Sequence, residues 1–482
     1  MSTGLAERLA SRAARARIVS VVDGAKIERS FPDVMNAAER PLSIAISLPH
    51  GPAFLTSLVA TWIGGNTIAP ISRRATVAEL RGLLALLQPS AILCDPADTR
   101  FESLGYRKAA RAATPALLIG GAQEDGALRL TAGDAWLATT SGTTGVPKVA
   151  VIGEDAILEN CRGVADYLEL SADDRVLAFT PTHFTYAVVQ LLSAALCGAT
   201  LLAWPHGLGV PAALADFARD SRMSGVSANP TALELLVPAF RSSYDGARYV
   251  LSAGQPLQLR LTNALERVFP AARTHSGYGC TENTNRMSFA AAEPGLFREG
   301  IASVGWPIPG TELRIEPRSG EIVVSGTSLM AGYLQDLLDG ASRITEFATG
   351  DLGVRGERGE LYLTGRRRNR INVGNEMVDP EEVENALRQV AGVLECAVGA
   401  LDDALLGEAI GALIVVEKTD IDLRAALAPI LRPSRWPHHV APVSRAEIPR
   451  TEYGKVDRVG LKSALAEHFG PVGGRKRKTT RL

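Results

Sequence analysis

The sequence predicts an α/β protein in two parts. The first is a large N-terminal domain of parallel, helix-covered sheets that includes a small β-barrel-like part, and the second is a small, mobile α+β C-terminal domain. Three features of the 482 residues support this class. Apolar runs alternate with helical stretches over most of the chain, short strands and glycine-rich turns take over after about Gly300, and a charged segment (GRRRNR, residues 365–370) precedes a new helix start.

The alternating part follows a strand–helix–strand pattern. Because parallel strands must be joined by crossovers, this pattern indicates a parallel sheet covered by helices. The sequence predicts strands at residues 175–181, 199–204, 224–228 and 248–253, and helices at 186–197 and 231–240.

The pattern after Gly300 differs because short strands separated by glycine-rich turns favour antiparallel pairing. This predicts strands at residues 312–316, 321–325 and 360–364.

The small domain is expected to begin after the charged segment. Asp379 stands at an N-cap position, Pro380 at the first helical position, and Glu382 where it would close a capping box. A helix at 381–390 and strands at 394–399 and 409–416 should follow. We therefore divide the chain into residues 1–366 and 367–482, with a hinge at the charged segment.

Composition excludes several classes of protein. The formal net charge of -1 gives no general attraction to nucleic acid or anionic lipid. Two long uncharged stretches are broken by prolines and glycines, so neither is predicted to span a membrane. Scattered cysteines without a CxxC pair and the lack of a signal-peptide pattern indicate a cytoplasmic protein. The basic residues 473–482 are predicted to form a solvated terminus.

The strongest motif is LATTSGTTGVPK, residues 137–148. A predicted strand leads into glycines, hydroxyl side chains and a terminal lysine, a pattern that brings backbone N–H groups and a positive charge to a phosphate. The P-loop NTPase pattern does not fit, because Pro147 and Val149 stand where it requires Gly and Ser or Thr. The phosphate-binding candidates are Thr140, Ser141, Gly142, Thr143, Thr144, Gly145 and Lys148.

The second motif is GYGCTE, residues 277–282. The ring of Tyr278 can lie against a purine with its hydroxyl in solvent, and Thr281 can donate to a phosphate. Glu282 offers Mg²⁺ a hard oxygen ligand beside a nucleotide. Taken alone, Tyr278 would more often be a core residue and Glu282 a surface residue.

Two further motifs complete the set. Asp351, after a Thr-Gly turn, and Arg366 are candidates for binding a ribose, as acidic residues do in other nucleotide sites. Lys455 stands in a predicted turn (PRTEYGKVDR, residues 449–458), which by itself resembles a solvated basic loop.

In this order and spacing, the four motifs resemble those of the adenylate-forming superfamily of acyl-CoA synthetases, nonribosomal peptide synthetase adenylation domains and beetle luciferases. The resemblance extends from about Ala25 to Leu465. It implies ATP and Mg²⁺, with coenzyme A as the expected co-substrate. The ATP or AMP site would comprise the phosphate-binding set with Gly254, Gly277, Tyr278, Gly279, Asp351 and Arg366.

The resemblance also assigns roles in the reaction. Thr281 would touch the α-phosphate, Glu282 would bind Mg²⁺, and Lys455 would reach the α-phosphate from the small domain. A carboxylate would attack the α-phosphorus to give an acyl-adenylate, and the small domain would then swing so that a thiol can attack the acyl carbonyl. The acyl group would contact Phe184, Ser227, Asn229, Ala253, Gly254, Gly279 and Cys280.

The chain departs from the family pattern on the thiolation side. Arg368 stands at the hinge position, where an acidic residue or lysine is usual, and Asn375 follows Gly374 where glycine is usual. Asn375 could narrow the thiol path, or it could adopt the left-handed conformation that asparagine tolerates. Adenylation is expected to be intact, whereas thioester formation on this chain stays open.

The remaining alternatives concern substrate and acceptor. The candidate acyl residues are small and uncharged, which disfavours an α-amino acid and favours a bulky apolar acid, whether fatty, aryl or polycyclic. The thiol could belong to coenzyme A or to a carrier protein, or the adenylate could be handed to a separate thiolating partner. A non-catalytic nucleotide-binding regulator is disfavoured because Lys455 and Glu282 are both present.

Overall fold

The computed structural model divides the chain into two compact units. The large unit comprises Met1–Arg314 and Val323–Phe347, and the small unit comprises Ile315–Ile322 and Ala348–Leu482. The predicted boundary between residues 366 and 367 lies within the small unit. The structure describes residues 17–22, 25–30, 43–48, 51–63, 66–108, 116–119, 133–140, 148–204, 210–367, 370–373, 376–403, 407–417, 421–431, 433–451 and 455–469.

The strands of the described residues are numbered in chain order. They are β1 (Arg17–Val22), β2 (Ala25–Ser30), β3 (Ser43–Ser47), β4 (Thr67–Pro70), β5 (Ala91–Cys94), β6 (Arg107–Lys108), β7 (Ala116–Ile119), β8 (Asp134–Thr140), β9 (Lys148–Gly153), β10 (Arg175–Ala178), β11 (Thr200–Ala203), β12 (Gly225–Ala228), β13 (Tyr249–Ala253), β14 (Arg273–Tyr278), β15 (Ser288–Ala291), β16 (Phe297–Arg298), β17 (Ile301–Ala302), β18 (Trp306–Pro307), β19 (Thr311–Ile315), β20 (Glu321–Gly326), β21 (Gly332–Tyr333), β22 (Glu346–Arg355), β23 (Leu361–Arg366), β24 (Ile371–Val373), β25 (Glu376–Val378), β26 (Val393–Asp403), β27 (Gly407–Val416) and β28 (His439–Pro442).

The α-helices follow the same convention. They are α1 (Pro52–Ile63), α2 (Val77–Leu87), α3 (Glu154–Tyr167), α4 (Thr185–Leu196), α5 (Pro211–Asp220), α6 (Pro230–Leu236), α7 (Leu259–Val268), α8 (Leu334–Leu338), α9 (Pro380–Gln389), α10 (Leu423–Leu427) and α11 (Arg458–Phe469).

Two sheets form the framework of the large unit. One has nine strands in the order β18-β15-β14-β13-β12-β10-β11-β1-β2, and the other has eight in the order β21-β9-β8-β4-β3-β5-β7-β6. Strands β10 to β14 pair in parallel with one another, as the strand–helix alternation predicts, whereas β14 pairs antiparallel with β15 at its other edge. The predicted helix at 231–240 is shorter than expected, because Pro238 lies in a 3₁₀ turn (Val237–Ala239) that follows α6.

Alternating residues of these strands enter different cores, which fixes the layers. On β10, Val176 and Ala178 join a core shared by both sheets, whereas Leu177 faces the opposite side. On β8, Trp136 joins the shared core and Leu137 faces away. Helices α1, α3 and α4 belong to the shared core, so they lie between the sheets. Helices α5 to α7 cover the outer face of the nine-stranded sheet, and α2 and α8 cover that of the eight-stranded sheet.

The small unit is an α+β structure. Strands β24 to β28 form one sheet, with α9 and α10 packed on one face and α11 on the other. Strands β22 and β23 form an antiparallel pair, consistent with the pattern predicted after Gly300.

Helix α9 begins as predicted but is capped differently. The Asp379 side chain accepts a hydrogen bond from the Glu381 N–H, and Pro380 occupies the first turn. The predicted capping box is wrong, because the Glu382 carboxylate pairs with Arg435 instead. Arg435 is distant from Glu382 in the chain, so the local sequence does not predict this pair. No helix of the described residues is long and apolar enough to cross a membrane.

Candidate functional site

The candidate residues of the large unit meet where three parallel strands end. The register pairs Ser227 of β12 with Leu251 of β13, and Ala253 of β13 with Gly277 of β14. Because parallel strands end at a common edge, the segments that follow them converge, and this edge is where open α/β sheets bind ligands.

The loop after β14 folds back tightly upon itself. The Asn285 N–H bonds to the Cys280 carbonyl at 2.8 Å, and the Met287 N–H bonds to the Tyr278 carbonyl at 2.8 Å. A Cβ atom at Gly279 would stand 1.9 Å from the carbonyl oxygen of Asn285, so this close approach of two backbone segments requires glycine. The loop therefore presents the residues after Gly279 in a fixed arrangement.

Thr281 and Glu282 contact side chains from other elements. The Thr185 hydroxyl, at the start of α4, lies 3.2 Å from the Thr281 hydroxyl. The Tyr333 hydroxyl of β21 donates to Glu282 Oε1 at 2.8 Å, and the Lys148 ammonium lies 4.6 Å from the centroid of the Tyr333 ring. Tyr333 thus connects the predicted phosphate-binding lysine with the predicted metal ligand.

Tyr333 is not among the site residues that the sequence predicted. Gly332 and Tyr333 pair with Val151 and Ala150 of β9, the strand that starts at Lys148. Only this long-range pairing brings the tyrosine beside the lysine.

The phosphate-binding motif is described at its two ends. Thr140 pairs with Lys148 at the base of the β8–β9 hairpin, and the Lys148 side chain is exposed. The hairpin brings a hydroxyl and an ammonium group to one end of the eight-stranded sheet. The predicted residues Ser141, Gly142, Thr143, Thr144 and Gly145 lie outside the described residues.

Three predicted nucleotide-binding residues lie along β13 and β14. Gly277 is buried, and Gly254 lies in the turn after β13. Only 6% of Tyr278 is exposed. The ring is buried because Tyr278 is still part of β14 and pairs with Ser288 of β15.

The candidate acyl residues lie in several separate elements of the large unit. Phe184 is the N-cap residue of α4, and its ring lies 4.2 Å from that of His183. Ala253 is buried at the end of β13, and Cys280 is half-buried beside Gly279. Asn229 caps α6: its side-chain oxygen accepts from the Ala232 N–H at 2.7 Å, so that oxygen serves the fold.

A tyrosine and an arginine that the sequence analysis overlooked lie beside Ser227. The Tyr186 hydroxyl is hydrogen-bonded to the buried Ser227 hydroxyl. The Arg286 guanidinium lies 3.8 Å from the centroid of the Tyr186 ring and is fully buried. Burial holds the pKa of Arg286 below its ordinary value. In the sequence, the only indication of a role for Arg286 is its position shortly before the apolar strand β15.

The small unit brings together Asp351 and Arg366. Asp351 Oδ1 lies 2.7 Å from Arg366 Nε, and the two residues are register partners on β22 and β23. The neighbouring Gly365 has a φ of +146°, and a Cβ there would collide with the Asp379 carboxylate. Glycine therefore permits the start of α9 to pack against β23.

Lys455 belongs to the same group of charges. Burial and, to a smaller extent, the Arg366 charge lower the pKa of Lys455 to about 8, although the carboxylates of Asp351 and Glu381 oppose the shift. The group therefore places two cations beside two carboxylates in a partly desolvated place.

The segment after Lys455 is fixed by a buried carboxylate. Arg458, the first residue of α11, contacts Glu384 at 2.7 Å and the Val398 carbonyl at 2.7 Å. Burial opposes ionisation of Glu384, yet Arg458 and Arg388 hold its pKa below the ordinary value. These contacts tie the start of α11 to α9 and β26.

The donor set around Glu282 fits a magnesium ion carried by a nucleotide. Mg²⁺ is usually held by one or two carboxylates together with substrate phosphates. Glu282 provides one carboxylate, with Oε2 not used by Tyr333, and the described residues contain no cluster of three His, Cys, Asp or Glu ligands. The predicted hinge and thiol-path residues Arg368, Gly374 and Asn375 lie outside the described residues.

Comparison with known proteins finds two family models that match this chain. The model of a family described as AMP-binding enzyme matches residues 37–334, and that of the AMP-binding enzyme C-terminal domain matches residues 382–455.

Individual relatives cover different shares of their own length. The chain is 29% identical to the sulfoacetate–CoA ligase of Cupriavidus necator over 457 residues, which are 87% of this chain and 87% of the relative. It is also 29% identical to the phosphinothricin tripeptide synthetase PhsC of Streptomyces viridochromogenes over 369 residues, 71% of this chain but 32% of the relative. Among solved structures, the ATP-bound RpMatB-BxBclM chimera B3 has a TM-score of 0.81 at 21% identity, covering 97% of this chain and 100% of that one.

Proposed function

The chain belongs to the AMP-binding enzyme family, and we propose that it is an AMP-forming acid–thiol ligase of the acyl-CoA synthetase type. Acyl-adenylate formation with ATP is the activity that its relatives support. The observation that carries the residue assignments is the linked set Lys148, Tyr333 and Glu282, which joins a cation, a hydroxyl and a carboxylate at the edge of one unit.

In the adenylation step, a carboxylate oxygen of the acid attacks the α-phosphorus of ATP. The new oxygen–phosphorus bond replaces the bond to the β-phosphate, and pyrophosphate leaves with that electron pair. The nucleophile is already ionised, so the protein needs no general base. Its contribution is to position the groups and to neutralise negative charge on the phosphate oxygens.

The phosphate end of the site would be held by the large unit. Lys148 supplies charge to the β- and γ-phosphates, and Thr281, held by Thr185, donates to the α-phosphate. Glu282, oriented by Tyr333, holds Mg²⁺, which would neutralise phosphate charge when bound.

The small unit is proposed to bind the nucleoside end of ATP and to stabilise the negative charge that develops on the α-phosphate. Asp351 and Arg366 bind the ribose, and Lys455 donates to the α-phosphate. The electrostatic interaction of Lys455 with both Arg366 and Asp351 supports the assignment of all three residues to one site.

The second step is thioester formation. A thiol attacks the acyl carbonyl, AMP leaves with the carbon–oxygen electron pair, and the thiol proton is released. Coenzyme A is the proposed acceptor, and a carrier protein is the second candidate because a peptide synthetase is among the relatives.

Two measurements test the function. Acid-dependent ATP–pyrophosphate exchange should occur with at least one member of a carboxylic acid panel, and adding coenzyme A should yield a thioester and AMP. Exchange without thioester would assign the acceptor to a carrier or partner. Absence of exchange with every acid would contradict the proposed ligase.

Replacing Asn375 with Gly tests the thiol path, since thioester yield should rise if the asparagine narrows it.

The acid itself is proposed to have an apolar body. Phe184, Ala253 and Cys280 offer uncharged contacts, and no described candidate acyl residue is acidic. A fatty, aryl or polycyclic framework fits these side chains better than the charged amino group of an α-amino acid.

A further inference from the structure

Glu321 is a buried carboxylate at the start of β20, and each of its two oxygens has a partner. Oε1 accepts a hydrogen bond from the Gly350 N–H at 3.0 Å, and Oε2 lies 2.8 Å from a terminal nitrogen of Arg367. The side chain of Glu321 is 9% exposed, whereas that of Arg367 is 63% exposed. The arginine thus supplies the counter-charge that a buried carboxylate requires.

The Gly350 N–H belongs to the turn that leads into the candidate ribose residue Asp351. Two further hydrogen bonds hold this turn. The Thr349 hydroxyl donates to the Ile322 carbonyl at 2.8 Å, and it accepts from the Asp351 N–H at 3.1 Å. Of the three bonds, that of Glu321 has the charged acceptor, and bonds to charged groups are the stronger ones. The conformation of the turn therefore depends on Glu321.

Glu360, another buried carboxylate of the small unit, has local partners instead. It is 4% exposed and accepts hydrogen bonds from the Arg358 N–H at 2.9 Å and from the Tyr362 hydroxyl at 3.3 Å, each two residues away. The partners of Glu321 stand 29 and 46 residues further along the chain, and each directly adjoins a candidate ribose residue. Glu321 therefore joins the two segments that carry the candidate ribose site.

The Asp351 carboxylate is thereby fixed at two points. Arg366 Nε lies 2.7 Å from Asp351 Oδ1, whereas Glu321 holds the backbone of the preceding residue. Because Arg366 and Arg367 are consecutive, one short stretch of chain supplies a partner to both carboxylates. A side chain takes its direction from the backbone that carries it, so the bond of Glu321 to the turn helps to aim the Asp351 carboxylate.

We propose that Glu321 is a positioning residue for the ribose of ATP, which acts through the Gly350 N–H to direct the Asp351 carboxylate and has Arg367 as its counter-ion. This inference rests on the proposed ligase function and on the assignment of Asp351 to the ribose. Hydrogen bonds weaken steeply when they depart from linear geometry, so a carboxylate that binds ribose hydroxyls needs a fixed direction. Loss of Glu321 should therefore weaken recognition of those hydroxyls although Asp351 itself is retained.

The test compares ATP with 2′-deoxy-ATP and 3′-deoxy-ATP, each of which lacks one ribose hydroxyl. Pyrophosphate release with an acid that the wild type uses gives kcat/KM for each nucleotide. The wild type should prefer ATP to at least one deoxynucleotide by about 10- to 100-fold, the loss expected when a hydrogen bond to a charged group is missing.

Variants assign part of that preference to Glu321. Glu321→Ala should lower the ratio of ATP to the poorer deoxynucleotide by about tenfold, and should raise KM for ATP more than it lowers kcat. Glu321→Gln replaces a charged acceptor by a neutral one and should lower the ratio by about threefold. Glu360→Ala is the matched control, because it also removes a buried carboxylate of the small unit. It should lower the melting temperature and leave the ratio unchanged.

The outcomes separate the levels of the argument. A ratio undiminished in Glu321→Ala, or lowered equally in Glu360→Ala, would overturn the positioning role while the ligase function stands. If Glu321→Ala fails to fold, an undiminished ratio in Glu321→Gln overturns the role equally. A wild type that uses all three nucleotides alike would overturn the ribose assignment of Asp351 together with this inference. Absence of pyrophosphate release with every acid would overturn the ligase function as well.

Discussion

Asp351 Oδ1 lies 2.7 Å from Arg366 Nε, across the register pair that joins β22 and β23. The carboxylate side chain is 8% exposed, whereas the guanidinium side chain is 54% exposed. The arginine thus holds a buried carboxylate in one orientation at the end of a strand. Two residues that the sequence assigned separately to a ribose are one charged unit.

Asp351→Asn should weaken ATP binding more than it slows the chemical step. A hydrogen bond to a charged group contributes about 1.5–3 kcal/mol, so KM for ATP should rise by about tenfold or more. The measurement is pyrophosphate release at varied ATP. Glu346→Gln is the matched control, because Glu346 also lies on β22 and pairs with an arginine, Arg314. Equal effects of the two variants would contradict the ribose assignment.

Lys455→Ala should lower adenylation by about 10²–10³-fold, the usual loss for one donor to developing charge. Lys462→Ala provides the control, since Lys462 is an exposed lysine of the same unit that pairs with Asp402. Pyrophosphate exchange measures both variants. An exchange rate unchanged in Lys455→Ala would remove this lysine from the mechanism.

The pKa of Lys455 also predicts a pH dependence. Because burial lowers that pKa to about 8, the free enzyme loses the ammonium charge as the pH rises through 8. The value of kcat/KM for ATP should therefore fall on the alkaline side of about pH 8. Lys455→Arg keeps its charge over this range and should lack the alkaline fall, whatever its absolute rate. A fall retained in Lys455→Arg would assign it to another group.

Tyr333→Phe should raise the Mg²⁺ concentration needed for half-maximal adenylation by about tenfold, since Glu282 loses a donor of roughly 1.5–3 kcal/mol. The aromatic ring beneath Lys148 is retained, so the effect belongs to the hydroxyl. Tyr106→Phe is the control, at a half-buried tyrosine remote from these residues in the chain. A Mg²⁺ dependence equal to that of the wild type would exclude Tyr333 from orienting the ligand.

Asp379→Asn should change stability in a pH-dependent way. Burial, reinforced by the Glu381 charge, raises the pKa of Asp379 from 3.8 to about 7. Between these values the unfolded chain has lost a proton that the folded chain keeps, so stability falls as the pH rises from about 4 to 7. The shift corresponds to about 4 kcal/mol, and asparagine caps helices as well as aspartate does.

Chemical denaturation of the wild type and Asp379→Asn at pH 5 and pH 8 measures this difference. The variant should gain stability relative to the wild type at the higher pH. Asp422→Asn, at the exposed N-cap of α10, should show no such gain. Parallel pH dependences of the wild type and Asp379→Asn would show that Asp379 ionises normally in the fold.

Local patterns predicted much of the fold because they reflect local causes. Strands β10 to β13 and helices α4 and α6 follow from the alternation of apolar runs with helical stretches, and the start of α9 follows from Asp379 and Pro380. Glu382 was misassigned because its partner Arg435 is distant in the chain. A capping box and a salt bridge compete for the same carboxylate, and sequence alone does not rank them.

The candidate site likewise combines residues that local motifs predict with residues that only the tertiary structure reveals. Glu282 and Lys455 stand in compact motifs, whereas Tyr333 and Arg286 acquire their neighbours only through tertiary pairing. Asn229 shows the opposite case, since a residue that matched a pocket position also satisfies a helix terminus. Residues whose neighbours are distant in the chain are the ones that a single sequence predicts least well.

The small unit is built from two separate pieces of chain, Ile315–Ile322 and Ala348–Leu482. Asp351 and Arg366 precede residue 367, the predicted start of the C-terminal domain, although they share their unit with Lys455. A fragment beginning at residue 367 would therefore carry the lysine but none of its predicted ribose partners. Split-protein reassembly and domain grafting should instead transfer residues 348–482 as a block, together with the strand segment 315–322, if the lysine is to keep its electrostatic surroundings.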